Sequence, residues 1–87
     1  MILVVTYELK HPPSSYTEFF GVLKSKDSWA HYMPSTWFIA TTESPKELYN
    51  QLAGLIFKDD NILIMELTPG YDGWLKNKAW DWIHRYL

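Results

Sequence analysis

The first nine residues constrain the fold most, because they form an alternating run of β-formers that is apolar on both faces. Ile2, Val4 and Thr6 share one face of such a strand, and Leu3 and Val5 share the other. A strand that is apolar on both faces needs cover on both sides. This segment is therefore expected at the centre of a sheet.

Three further segments are rich in β-branched, aromatic and aliphatic residues, which is the composition of strands. They are residues 29–33, 36–41 and 62–67. Pro34 and Ser35, between the first two segments, indicate the turn of an antiparallel hairpin. The last segment is apolar enough to predict cover on both of its faces over most of its length.

Two capping boxes predict helix starts between these strands. Ser15 and Glu18 have the required spacing before a first apolar stripe, and Ser44 and Glu47 have it before a second. Residues 74–87 carry a third apolar stripe at helical spacing, so they predict a helical tail.

The resulting order, β-α-β-β-α-β plus a tail, is that of the α+β ferredoxin-like sandwich. One domain is expected over residues 1–87, with a core at 1–68 and a C-terminal helical tail at 69–87. Right-handed crossovers place the strands in the spatial order four, one, three, two, with all neighbours antiparallel. That geometry brings the end of strand one, the hairpin turn and the turn before strand four to one rim of the sheet.

Composition narrows the class of protein. The chain has no cysteine, which excludes disulfides and thiolate metal sites, and a cytoplasmic location is expected. No apolar run approaches the ~20 residues that span a bilayer, so no membrane partner is predicted. The formal charge of −2 predicts no extended nucleic-acid surface, so any phosphate contact is expected to be local. Aromatic residues make up 17% of the chain, a surplus that indicates an interface.

Several short motifs resemble the SinR-like family, which are small ferredoxin-like proteins. The motifs are Val4-Val-Thr-Tyr-Glu-Leu9, Trp29-x-His31, Ser35-Thr-Trp37, the Ser-Pro-x-Glu-Leu helix start at 44–48 and Ile62-Leu-Ile-Met-Glu-Leu67. That family is similar in turn to the second CRISPR-associated adaptation protein and to the virulence-associated protein D ribonucleases. The resemblance implies a homodimer in which an acidic residue at the end of strand one of each subunit holds a divalent metal ion. Glu8 stands at that position here, where the nuclease relatives carry Asp.

Glu8 is accordingly the candidate metal ligand, for Mg or Mn, and a candidate catalytic residue. Metal-assisted phosphodiester hydrolysis needs oxygen ligands that leave coordination positions open for water and phosphate. Asp59 and Asp60 are expected at the same rim and are candidates to join the metal shell. The alternatives are a solvated strand end for Glu8 and ordinary turn chemistry for the two aspartates.

The predicted rim also holds candidates for proton transfer and phosphate binding. His31 is a candidate catalytic acid or base, and its alternative is a packed residue of an aromatic strand. Four residues are candidates for binding phosphate or nucleic acid: Lys10, His11, Ser35 and Thr36. No nucleophilic triad, glycine-rich phosphate loop or zinc spacing is present.

The tail is rich in aromatic residues beyond what one packing contact uses. The residues expected at a dimer interface are Trp74, Trp80, Trp82 and Tyr86. A docking helix for another protein is the alternative.

The sequence therefore predicts a homodimer that resembles small metal-dependent nucleases and acts on, or binds, nucleic-acid phosphodiesters. The alternative is a non-enzymatic interaction module of a phage or mobile element that sequesters a protein or a nucleotide signal. A purely structural subunit is a third hypothesis, because fold does not determine function.

Overall fold

The computed structural model describes all 87 residues and contains a four-stranded antiparallel sheet with three α-helices. The strands are β1 (Ile2–Glu8), β2 (Ser28–Met33), β3 (Thr36–Ala40) and β4 (Asn61–Leu67). The helices are α1 (Thr17–Lys24), α2 (Pro45–Leu52) and α3 (Asn77–Tyr86). The chain is an α+β protein.

The strand order is β2-β3-β1-β4, with antiparallel pairing throughout. This is the expected order, and it is compatible with a ferredoxin-like arrangement. β1 lies between β3 and β4, and its first four residues are buried. The prediction that the opening segment is a central strand is confirmed.

The two faces of the sheet carry separate hydrophobic clusters. On one face, the side chains of Leu3, Val5 and Trp37 pack with residues of α1 and α2. On the other face, a smaller cluster that includes Val4 and Phe38 packs with residues of α3. The predicted tail thus packs on part of the face that the two crossover helices leave free.

The two predicted capping boxes have different outcomes. At α2, the N–H of Glu47 donates to the Ser44 hydroxyl at 3.1 Å, and the Ser44 N–H donates to the Glu47 carboxylate at 3.0 Å. At the first helix the prediction is wrong, since Tyr16 is the N-cap of α1 and Ser15 lies in a preceding 3-10 turn, Pro13–Tyr16. Pro13 begins that turn because its fixed φ suits a first helical position and it needs no N–H partner.

The prediction that β4 is covered on both faces is also wrong. None of its residues is buried, and Leu63 and Met65 are 56% and 46% exposed. β4 is an edge strand, and α3 does not extend far enough to cover Leu63 and Met65.

The tail is helical over a shorter stretch than expected. α3 begins at Asn77, and residues 68–76 form no helix. Its buried face consists of Ala79, Trp82 and Ile83. No helix reaches the length and hydrophobicity needed to cross a bilayer.

Candidate functional site

The end of β1 meets both neighbouring turns at one rim of the sheet, as the topology predicts. The Tyr7 N–H donates to the Ser35 carbonyl of the hairpin turn at 3.1 Å. On the other side Glu8 is the register partner of Asn61, the first residue of β4. The Lys10 N–H donates to Oδ1 of Asp60 at 2.8 Å. Three segments far apart in sequence therefore lie together.

Asp60 links the parts of this rim through one carboxylate. Besides the Lys10 N–H, it accepts the Phe57 N–H at 2.8 Å and the Tyr16 hydroxyl at 2.8 and 2.9 Å from its two oxygens. Burial opposes its charge, but hydrogen bonds from Phe57, Lys10 and Tyr16 outweigh that effect and lower the pKa of Asp60. Burial and the bond to Asp60 raise the pKa of Tyr16, so its hydroxyl stays a donor. Asp60 is in the first place a structural residue.

His11, Asp59 and Asp60 form the one group of three or more histidine and acidic side chains that lie close enough to hold a metal ion. One ligand atom from each lies within 4.8 Å of the others. Nε2 of His11 is 3.0 Å from Oδ1 of Asp59, and the imidazole packs on Phe57 with centroids 4.1 Å apart. The Asp59 side chain is 60% exposed, and the His11 imidazole is the one side chain with which it makes a polar contact. Asp59 is therefore the most available ligand of the group.

Glu8 is not a member of this group and is paired with Lys10 in an ion pair on the surface. The hydrogen bond to Glu8 and the charge of that carboxylate raise the pKa of Lys10. A metal ion at Glu8 would have to displace this lysine, which would then be free to contact a phosphate. The Lys10 side chain in its present position neutralises the carboxylate.

His31 lies on the other face of the sheet from Glu8. Its ring stacks on Trp37 at 4.1 Å with 16° between the planes, and Trp37 belongs to the α1 and α2 side. Glu8 follows Val4 and Thr6 on the α3 side by strand alternation. By this alternation, His31 and Glu8 lie on different faces of the sheet within one protomer, and the catalytic role of His31 stays a prediction. Nε2 of His31 is 3.1 Å from the Pro34 carbonyl, a position in which the protonated nitrogen donates and fixes the hairpin turn.

Ser35 and Thr36 serve the sheet at the same turn. The Ser35 carbonyl accepts the Tyr7 N–H, and the Thr36 hydroxyl donates to that of Thr6 at 3.3 Å. Thr36 is the register partner of Thr6, so its side chain shares the face of Glu8.

The aromatic residues of the tail separate into buried and exposed groups. Trp82 is 9% exposed, and its Nε1–H donates to the Ser28 hydroxyl at 3.0 Å, which holds α3 against β2. Tyr86 packs on Trp82 with centroids 4.8 Å apart. Trp80 stacks on Tyr71. Three of the four aromatic residues expected at a dimer interface therefore make packing contacts within their own protomer.

A groove that sequence reasoning missed lies where α3 stops covering the sheet. It has a volume of about 450 Å³ and lies between sheet residues such as Phe38 and Met65 and the segment before α3. Trp74 stands at its border and is 98% exposed. One feature of the sequence indicated this groove. β4 carries apolar residues on the face that points away from the two crossover helices.

A second missed feature is a shallow basic site between α3 and β2. Tyr32, Lys78 and Arg85 line it, together with Asp81 and Trp82, and its volume is about 240 Å³. The spacing of seven between Lys78 and Arg85 puts them on one side of a helix, which was the available signal.

Comparison of the chain with protein-family models, with curated proteins and with solved structures found no match. The resemblance to the SinR-like proteins stays a prediction from short motifs. So do the homodimer and the metal site that it implies.

Proposed function

We propose that this chain is a homodimeric ferredoxin-like protein that binds nucleic-acid phosphodiesters through a divalent ion, Mg or Mn, at the β1 rim. One observation carries the proposal: the ligand atoms of His11, Asp59 and Asp60 lie within 4.8 Å of one another at the end of the sheet where β1 finishes at Glu8. Oxygen ligands suit Mg and Mn, and a partly open shell leaves positions for phosphate. Membership of the class of small metal-dependent nucleases is part of the same proposal.

The residues have distinct roles in this proposal. Asp59 is the first ligand, because it is exposed and pairs only with His11. Asp60 contributes less, because its oxygens already accept hydrogen bonds from Lys10, Tyr16 and Phe57. A bound ion supplies charge neutralisation and activation of water. Lys10, once released from Glu8, is placed to contact phosphate, and His31 has no part.

The homodimer in this proposal is supported by the open part of the α3-side face. Leu63 is the register partner of Thr6, and Met65 is that of Val4, so both exposed side chains share the face of Glu8. Packing two such faces together buries the exposed apolar residues. It also brings the two Glu8 residues toward a shared cleft.

The test is binding and cleavage of end-labelled single-stranded RNA and double-stranded DNA in Mg, Mn or EDTA. Asp59→Asn and Glu8→Ala are each expected to weaken metal-dependent binding tenfold or more, which corresponds to about 1.4 kcal/mol. Asp27→Asn is the matched control, because Asp27 is an exposed acid next to the start of β2, at the opposite end of the sheet from the rim. Equal binding in EDTA and in Mn would contradict the proposal.

A second candidate function, non-enzymatic sequestration of a protein or a nucleotide signal, is favoured by a different observation. Each rim carboxylate already has a polar partner within the chain, so none of them depends on a metal ion for a polar contact. Mass spectrometry of material released on denaturation separates the two candidates. A co-purifying nucleotide or peptide, with no metal-dependent cleavage, would favour sequestration.

A further inference from the structure

The groove beside α3 is an unfilled apolar site on the surface of the protomer. Its volume of about 450 Å³ lies in the range of pockets that hold ligands. Most of its lining is apolar or aromatic, including Phe38, Leu67 and Trp80. Of the two acidic residues that line it, Glu66 is the register partner of Leu3 on the α1 and α2 side, so Asp72 supplies the negative charge at its border. Such a site suits an apolar group that has a basic neighbour, and it does not suit a phosphate.

Trp74, at the border of the same groove, is a side chain without a packing partner. It is 98% exposed, whereas the chain's other four tryptophans are buried or at most 40% exposed. A fully exposed tryptophan forgoes the burial of a large apolar surface, and tryptophan is enriched at the centres of protein interfaces. Lys76, two residues further on, is exposed and basic.

We propose that the groove of each protomer receives Trp74 of a second copy of this chain. The groove and the tryptophan belong to one surface, so a two-fold axis lets each copy fill the groove of the other through identical contacts. Lys76 of each copy then approaches the acidic border of its partner's groove, which is the charge complementarity that the lining requires. The exposed side chains of Leu63 and Met65 extend the same apolar surface.

This inference deepens the homodimer of the proposed function and rests on it, but it does not depend on the metal ion or on nucleic acid. It names the contact that joins the subunits. The groove is separate from the proposed metal site, since none of the proposed metal ligands lines the groove.

Sedimentation equilibrium of Trp74→Ala against the unaltered chain is the direct test. The variant is expected to raise the dimer dissociation constant by about 30-fold or more, as loss of an interface hot spot does. Tyr49→Ala is the control, because Tyr49 is an aromatic residue of α2 on the far side and is 43% exposed. Unchanged circular dichroism is expected for both variants, since neither side chain is buried.

Cross-linking gives a second measurement that does not remove the tryptophan. The chain has no cysteine, so Gly73→Cys and Met65→Cys chains can be mixed and joined by a short thiol cross-linker. A side chain at Gly73 meets no atom within 4 Å, so the substitution is tolerated. Efficient joining of the mixed pair, with none for Tyr49→Cys and Met65→Cys, supports the inference.

The outcomes separate this inference from the proposed function. If Trp74→Ala remains as dimeric as the unaltered chain, the inference is overturned and the metal site is unaffected. If the variant is monomeric but keeps metal-dependent binding, the inference holds and the shared cleft is wrong. An unaltered chain that is monomeric at all concentrations overturns both the inference and the homodimer.

Discussion

The two faces of the sheet differ in how completely they are covered. The face toward α1 and α2 encloses large aromatic side chains, and Tyr16, Phe19 and Trp37 are almost inaccessible. The face toward α3 is buried near the start of β1 but leaves Leu63 and Met65 in solvent. The α1 and α2 side of the sheet is well covered, and the α3 side leaves an apolar area exposed.

Geometry explains the difference. Four strands at a spacing of about 4.8 Å make a sheet roughly 15–19 Å wide, whereas one helix is about 10–12 Å across. Two helices therefore cover a face, and α3 alone cannot. The side with one helix is where the groove, Trp74 and the face of Glu8 all lie. Incomplete cover is thus what makes this side available for a partner.

A matched pair of leucines tests this contrast with the largest expected effect. Leu48 is fully buried in α2 on the closed face, and Leu63 is 56% exposed on the open face. Leu48→Ala is expected to lower the free energy of unfolding by about 2–5 kcal/mol, because it leaves a cavity. Leu63→Ala is expected to change it by about 0.5 kcal/mol or less. Urea unfolding of dilute protein measures both values.

Protein concentration sharpens the same comparison. If copies associate through the open face, Leu63→Ala becomes destabilising at high concentration, because dimerisation adds to apparent stability. A loss at Leu63 as large as that at Leu48 in dilute protein would show that the open face is closed within the protomer.

Asp60→Asn tests whether the rim belongs to the closed, rigid side. Asn is expected to destabilise the fold less than Leu48→Ala and more than Asp27→Asn, because its amide group meets the Phe57 or Lys10 N–H donor. The folded-state pKa of Asp60 is lowered, so its contribution is present above the unfolded value of about 3.9 and is lost as pH falls through the folded value. The unfolding midpoint of the variant should approach that of the unaltered chain in acid. A difference independent of pH would show that the charge of Asp60 contributes nothing.

Sequence patterns predicted those helices and strands that neighbouring residues in the sequence determine. The alternation in β1 predicted its central place, and the Ser44 capping box predicted the start of α2. The Ser15 box failed because Pro13 imposes a competing 3-10 turn and Tyr16 turns inward to Asp60. Local spacing carries no information about such a distant partner.

The candidate site was predictable only in part. Topology correctly brought Glu8, Lys10 and the turn before β4 to one rim. It carried no information on which residues of β2 share a face with Glu8, although alternation with the buried Ala30 places His31 on the side of Trp37. The groove depends on how far α3 reaches across the sheet, and helical periodicity does not report that distance.

Glu8→Gln is expected to have the smallest effect on stability and is therefore the cleanest functional probe of the open side. The Glu8–Lys10 ion pair is exposed to solvent, and exposed pairs contribute little to folding. Its urea midpoint should equal that of the unaltered chain, while the raised pKa of Lys10 should fall toward its usual value in an NMR titration. Any loss of metal-dependent binding in this variant would then report on the site alone. A marked loss of stability would instead show that Glu8 supports the fold. The contrast between a closed side and an open side of the sheet would then not apply at the rim.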